Sequence, residues 1–158
     1  MIGINLLGID NRSMVISFER KGDFVKVSTK GRYGLKALID IASDAQGEAV
    51  SITSIASRQG ISERYLEQLM SKLKKAGIIS SIRGASGGYI LAKSPESISV
   101  GDVLRALEGN LELVDCLGAS DEESCNFIDT CATKYVWKRI SDSINQTVDG
   151  ILLSELIS

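Results

Sequence analysis

The 158-residue chain contains no histidine, which removes Ser-His-Asp and Cys-His nucleophilic catalysis and takes away the commonest metal ligand. Proline occurs once, at Pro95, and aromatic residues make up only 5% of the sequence. No apolar run approaches the roughly 20 residues that a bilayer-crossing helix requires. No segment joins a basic start, an apolar stretch and a small-residue cleavage site as a secretory leader does. The sequence therefore predicts no membrane association. There is also no C-x-x-C pair and no cofactor fingerprint, so a thiol redox enzyme, the reading from another functional class, has no motif behind it. What is present, 44% hydrophobic and 24% charged, suffices for one core and an extension.

The net charge of −2 conceals a division. Val25 to Lys93 holds eleven Lys and Arg against five Asp and Glu, a net of +6, whereas Ser94 to Ser158 holds four against twelve, a net of −8. A cationic half beside an anionic one predicts phosphate binding by the first.

Within the cationic half, Ser51 to Lys93 reads as two short helices joined by a tight turn and followed by a hairpin. Ser51 can cap the first helix, and Gly60 can end it in left-handed backbone. The second helix starts at Ser62, where Leu66, Leu69, Leu73 and Ala76 recur at helical spacing. Arg64, Glu67, Gln68, Ser71, Lys72 and Lys75 fall on the opposite face. A guanidinium and an amide one turn apart, Arg64 and Gln68, are side-chain types that read base edges in a major groove. Gly77 stops the helix, Ile78 to Arg83 is rich in β-branched residues, Gly84 to Gly88 is a turn, and Tyr89 to Leu91 returns. The order is helix, turn, helix, wing. A merely solvated face is the plainer reading of the charges on the second helix, and the charge division of the chain tells against it. Gly84-Ala85-Ser86-Gly87-Gly88 also satisfies the nucleophile-elbow pattern G-x-S-x-G, but an elbow needs a helix after the serine and a base to activate it. Ser86 is a turn residue.

Met1 to Phe24 has no clean period and reads as an extension ahead of the domain, either a start placed too early or an added arm. Ser28 can cap a helix to about Ala42 with Leu35, Leu38, Ile39 and Ala42 inward. Lys30, Arg32 and Lys36 near its N-terminus predict a phosphate clamp, with ordinary surface cations as the alternative. After Pro95, Ser99 and Asp102 mark another helix, with Val103, Leu104 and Leu107 buried and Gly109 as its stop. From Ala132 to about Asp149 a long helix carries the stripe Val136, Ile140, Ile144 and Val148, with Trp137 near it. A second copy of that helix is the expected cover, and packing within the chain is the alternative. Leu152 to Ile157 reads as a short apolar tail. The expected fold is mainly α with a small β-hairpin, divided into residues 1–24, a winged helix-turn-helix unit 25–109, a cysteine loop 110–131, and a dimer helix with its tail 132–158.

Cys116, Cys125 and Cys131 are the only cysteines and lie within sixteen residues as C-x8-C-x5-C. Thiols this concentrated, in a chain without an export signal, argue against a disulfide framework. Thiolates are soft ligands suited to iron-sulfur clusters, which cysteines commonly bind in fours. Zinc with an oxygen as fourth ligand, and unligated thiols, are the other readings.

The segments VKVSTKGRYGLKALIDIA, ISERYLEQL, SIRGASGGYILAK and ISVGDVLRALEG, in that order, resemble the IscR/NsrR/CymR family of bacterial winged-helix regulators. The resemblance covers nearly the whole chain from Val25. It implies a homodimeric repressor that binds a palindromic operator in double-stranded DNA, in iron-sulfur or sulfur and cysteine metabolism. By position Ser62, Arg64, Glu67 and Gln68 enter the major groove, with Tyr65 and Lys72 on the same helix, and Arg83, Gly84, Ser86 and Gly87 form the wing. IscR-like members hold a two-iron, two-sulfur (2Fe-2S) cluster with three cysteines of this loop, which implies Cys116, Cys125 and Cys131 as ligands. The chain departs from that pattern in a longer first gap and in Lys134, which stands where a histidine follows the last cysteine. Arg32 stands where NsrR-like members use an aspartate. The fourth ligand stays open among Asp121, Glu122, Glu123, Asp129, a small thiol and water. The alternative within the family is a CymR-like repressor of cysteine metabolism that acts through a regulatory protein partner and has no cluster.

Overall fold

Ser28, Ser51, Ser62 and Ser99 each stand one residue ahead of a helix in extended backbone, with the hydroxyl accepting from a first-turn amide. That bond satisfies a donor the helix itself cannot. A computed structural model of the chain describes residues 28–44, 48–114 and 130–157. The expected extension 1–24, Cys116, Cys125 and the four acidic candidates for the fourth ligand lie outside the described residues. The capped helices are α1 (Thr29–Ser43), α2 (Ile52–Gln59), α3 (Glu63–Lys75) and α4 (Val100–Glu108). Gly60, at φ 63°, ends α2. At Ser99 the cap is reciprocal: the Asp102 amide donates to Ser99 Oγ at 3.0 Å, and the Ser99 amide donates to the Asp102 carboxylate at 3.1 Å.

Strands β1 (Ile79–Ile82) and β2 (Gly88–Leu91) form the wing as an antiparallel pair in the register Ile79↔Leu91 to Ile82↔Gly88. Val50 makes an isolated bridge to Tyr89 with two 2.9 Å hydrogen bonds, which ties the wing to the segment that opens α2. Gly88 is required there, because a Cβ would stand 2.3 Å from the Val50 carbonyl oxygen.

The core lies between α1, α2, α3, α4 and the inner side of the wing, and centres on Leu38, Ile41, Ile55, Leu66, Leu69, Met70, Leu73, Ile79, Val103 and Leu107. Each such side chain contributes roughly 1.5–3 kcal/mol on burial. Two expectations shift in register. α1 buries Gly34, Ala37, Leu38 and Ile41, while Leu35, Ile39 and Ala42 are half-buried. Ala76 is exposed as the C-cap of α3, and Met70 takes the inward place in its stead.

The fifth helix, α5 (Lys134–Gly150), follows the cysteine segment. The residues after it fold back rather than trailing away. Ser99 pairs with Leu152, Val100 N–H donates to the Ile151 carbonyl at 2.9 Å, and Leu153 N–H donates to the Ile98 carbonyl at 2.8 Å. Leu153, only 1% exposed, enters the winged-helix core. Arg105 on α4 ties α5 to the same unit through Asn145 and Asp149. No helix among the described residues is long and apolar enough to cross a membrane.

Candidate nucleic-acid interface

The amphipathic pattern of α3 places Leu66, Leu69, Met70 and Leu73 in the core, so Arg64, Glu67, Gln68 and Ser71 face outward. Among the described residues, the side chains of Arg64, Glu67 and Gln68 have no hydrogen-bond or ion-pair partner. They are free to engage a ligand. Ser62 accepts from the Tyr65 amide at 3.4 Å as the helix cap. Tyr65 itself is half-buried, its ring edge-on to Tyr33 at 6.2 Å and 85°. That aromatic contact sets the first turns of α1 beside the first turn of α3.

The cations of the positive half divide into committed and uncommitted. Arg58 bridges Asp40 at 2.9 Å and Asp44 at 3.1 Å, joining α2 to α1. Lys74 donates to the Ser81 hydroxyl on β1 of the wing. Lys72 donates to the Leu107 carbonyl at 2.7 Å. Lys30, Arg32, Lys36, Lys75 and Arg83 are exposed and, among the described residues, outside any ion pair; the Arg32 guanidinium lies 5.3 Å from the Tyr33 ring centroid.

The backbone at the start of α1 is not an open anion site. The Lys30 amide donates to Ser28 Oγ at 3.1 Å, the Arg32 amide to the Ser28 carbonyl at 3.1 Å, and the Gly31 amide to the Glu108 carboxylate at 2.9 Å. The chain's own carboxylate fills the position that the sequence reserved for phosphate. Any clamp here therefore rests on the Lys30, Arg32 and Lys36 side chains. Glu108 lies 80 positions from Ser28, and no sequence signal pairs the two.

The wing tip closes on its backbone. The Gly87 amide donates to the Gly84 carbonyl at 3.0 Å, Gly84 sits at φ 129°, and a Cβ on Gly87 would stand 2.6 Å from the Ile82 carbonyl oxygen. Arg83, Gly84 and Ser86 are exposed and Gly87 is half-buried. Ile82, 44% exposed at the end of β1, is an apolar wing residue that sequence reading did not single out.

Just ahead of α5, Cys131 is a free, half-buried cysteine whose sulfur lies 3.3 Å from the Thr133 hydroxyl. Hydrogen bonds from the Thr133 hydroxyl and amide, with a lesser contribution from Lys134, hold its thiol below the ordinary cysteine range. The preceding segment is anchored where the Leu113 amide donates to the Ser141 hydroxyl at 3.3 Å, and Ser141 is only 1% exposed. Along α5, Val136 and Ile140 are exposed while Ile144 and Val148 are half-buried; with Arg139, Ser143 and Thr147 they line a shallow, mostly apolar groove.

A family model described as "Rrf2: Iron-dependent Transcriptional regulator" matches residues 27–158. The chain is 42% identical to the HTH-type transcriptional regulator IscR of Aliivibrio salmonicida, over 84% of this chain and 77% of that protein. It is also 42% identical to the HTH-type transcriptional regulator CymR of Bacillus subtilis, over 85% of this chain and 91% of that protein. Among solved structures, CymR (YrzC), the global cysteine regulator of B. subtilis, superposes with a TM-score of 0.68 at 39% identity, covering 84% of this chain and 96% of that one. T. potens IscR superposes with a TM-score of 0.67 at 45% identity, covering 84% and 85% respectively.

Proposed function

The chain belongs to the Rrf2 family of transcriptional regulators, and from that membership we propose that it is a repressor that binds a palindromic operator in double-stranded DNA as a homodimer. The observation that carries this reading is the exposed trio Arg64, Glu67 and Gln68, without a partner among the described residues, on the outer face of a helix whose inner face is locked in the core. Arg64 and Gln68 have the donor geometry for guanine and adenine edges, and Glu67 can accept from cytosine. Lys30, Arg32, Lys36 and Lys75 would meet phosphates, which fix register without reading sequence. Arg83 and the closed Gly84–Gly87 turn would approach the backbone beside the groove. The apolar groove on α5 would be covered by the same helix of a second copy, and two recognition helices could then meet half-sites about 34 Å apart. In this division residues 25–109 read DNA, 110–131 respond to a signal and 132–158 dimerise, with Leu153 also serving the core of the first unit.

Cys116, Cys125 and Cys131 would hold an iron-sulfur cluster of the two-iron, two-sulfur type. The donor set fits. Hydrogen bonds from Thr133 hold the Cys131 thiol below the ordinary cysteine range, a shift in the direction of the thiolate that ligates soft metals. Chain length also permits the first and last cysteines to meet. The three residues from Leu113 to Cys116 reach at most about 10 Å, and α5 rises about 10 Å over the seven residues from Lys134 to Ser141. A bound cluster would cross-link the three thiolates and thereby restrain the segment that joins α4 to α5. Such a restraint alters DNA affinity only so far as it favours one arrangement of the two recognition helices over another.

The second reading is a CymR-like repressor of cysteine metabolism that works through a protein partner without a cluster. The equal 42% identity to IscR and CymR relatives favours neither. Lys134, in the place of a ligating histidine, supports the partner reading, and the three grouped cysteines support the cluster. Quantitation of iron and sulfide in protein purified anaerobically separates them. Equimolar iron and sulfide support the cluster, a colourless protein without metal supports the partner, and zinc alone refutes the iron-sulfur assignment. The DNA reading is tested by Arg64→Ala and Gln68→Ala, each expected to lose roughly 1–3 kcal/mol of preference for its base. Equal loss on specific and random DNA for Gln68→Ala would contradict its role.

A further inference from the structure

The last turn of α4 is fastened on both sides by charged groups. Lys72 sits on the outer face of α3, among the residues that the family resemblance implies for DNA binding, yet its ammonium donates to the Leu107 carbonyl at 2.7 Å. That carbonyl is among those a helix end leaves without an internal partner, and a cation there is favoured. One residue on, the Glu108 carboxylate accepts from the Ser28 hydroxyl and from the Gly31 amide at 2.9 Å, a negative charge at the start of α1. Between them Leu107 is fully buried and packs on Gly34 of α1 so closely that a Cβ there would stand 2.1 Å from its Cδ1. Three consecutive contacts therefore bind the end of α4 to α3 and α1, the two helices that carry the proposed base-reading and phosphate-facing side chains. Immediately afterward, Gly109 leads out of the helix toward residues 110–131.

We infer that Lys72 and Glu108 are positioning residues for DNA reading. Lys72 sets the pose of α3 against α4 and neutralises no phosphate, and Glu108 does the same for α1. The inference rests on the proposed DNA-binding function. Its chemistry is that of a strut: the ammonium and the carboxylate are held by the fold, so they act on DNA only through the helices they align.

The test uses the full-length protein, the best duplex recovered by wild type from a random pool, and a scrambled duplex of equal length, titrated by fluorescence anisotropy across a KCl series. Lys72→Met is expected to reduce the ratio of selected to scrambled affinity about tenfold, the size of one base contact at roughly 1.4 kcal/mol per decade. The slope of log K against log salt should stay at the wild-type value. Lys72→Arg, which keeps a donor at that place, should restore the ratio, and Glu108→Ala should lower it as Lys72→Met does. Lys36→Ala serves as the phosphate control, with a slope flatter by about 0.9. A slope flattened in the same way by Lys72→Met with an unchanged ratio overturns the inference, as do a wild-type ratio and slope. If Lys72→Met fails to fold by circular dichroism, the contrast between Lys72→Arg and Lys72→Gln, read by the same ratio and slope, decides. A wild type that selects no duplex removes the DNA-binding function itself, an outcome read before any variant is made.

Discussion

Arg64, Glu67 and Gln68 owe their availability to what surrounds them: each is exposed, and among the described residues none is held by another side chain. Arg58 and Lys74 carry the same kinds of charge, but Asp40, Asp44 and Ser81 occupy them. Availability is therefore decided one residue at a time and cannot be read from net charge. The same scale governs the wing. Gly88→Ala would drive a methyl group into the Val50 carbonyl oxygen, a backbone atom with no rotamer to yield. A stability loss of about 1–3 kcal/mol is expected in a urea melt, and an unchanged midpoint would show that the Val50–Tyr89 bridge is dispensable.

Helix α4 illustrates how an element takes its stability from both ends. Its start is fixed by the Ser99–Asp102 capping box. Burial works against the charge on Asp102, but hydrogen bonds from Ser99 and the nearby Arg105 and Lys93 together hold its carboxyl below its ordinary value of 3.8. A depressed carboxylate contributes stability that is present above its unfolded value and lost as pH falls through its folded one. Asp102→Asn should thus lower stability near neutrality and flatten the acid limb of the stability profile below about pH 4; an acid limb parallel to wild type would count against the box. Helix α5 differs in kind, since Val136 and Ile140 of its stripe remain 53% and 39% exposed within one chain. An apolar stripe left in water marks a surface awaiting cover. Ile140→Asp is expected to convert a dimer into a monomer by sedimentation equilibrium, and a dimer that persists would move the interface elsewhere.

Across the whole molecule, the anionic carboxy-terminal half is built into the cationic amino-terminal half and not merely attached to it. Leu153 enters the winged-helix core, and Ile151 and Leu153 hydrogen-bond to the strand-like entry of α4. Leu153→Ala should therefore destabilise the entire unit by about 2–5 kcal/mol in a single cooperative transition; a transition that separated into two would show that the halves fold independently. Arg105 joins α4 to α5 and Lys72 joins α3 to the end of α4, so side-chain hydrogen bonds link the three helices. Cys125→Ala is expected to abolish the visible absorption of iron- and sulfide-loaded protein while leaving the dimer folded, and an undiminished spectrum would remove Cys125 from the ligand set.

The capped helix starts, the left-handed stop at Gly60 and the capping box were legible in the sequence because each depends on residues within about four positions of one another, and the wing because a β-branched run and its return flank a glycine-rich turn. The outward face of α3 was legible for the same reason, since 3.6-residue periodicity alone sorts Arg64 and Gln68 from Leu66 and Leu69. Tertiary structure decided what distance along the chain conceals: that Glu108 fills the start of α1, that Lys72 caps α4, that α1 is rotated to bury Gly34 against Leu107, and that Leu153 returns to the core. Local pattern fixes which side chains face outward, whereas a charge becomes free or committed only when residues 14 to 80 positions apart are packed within hydrogen-bonding reach.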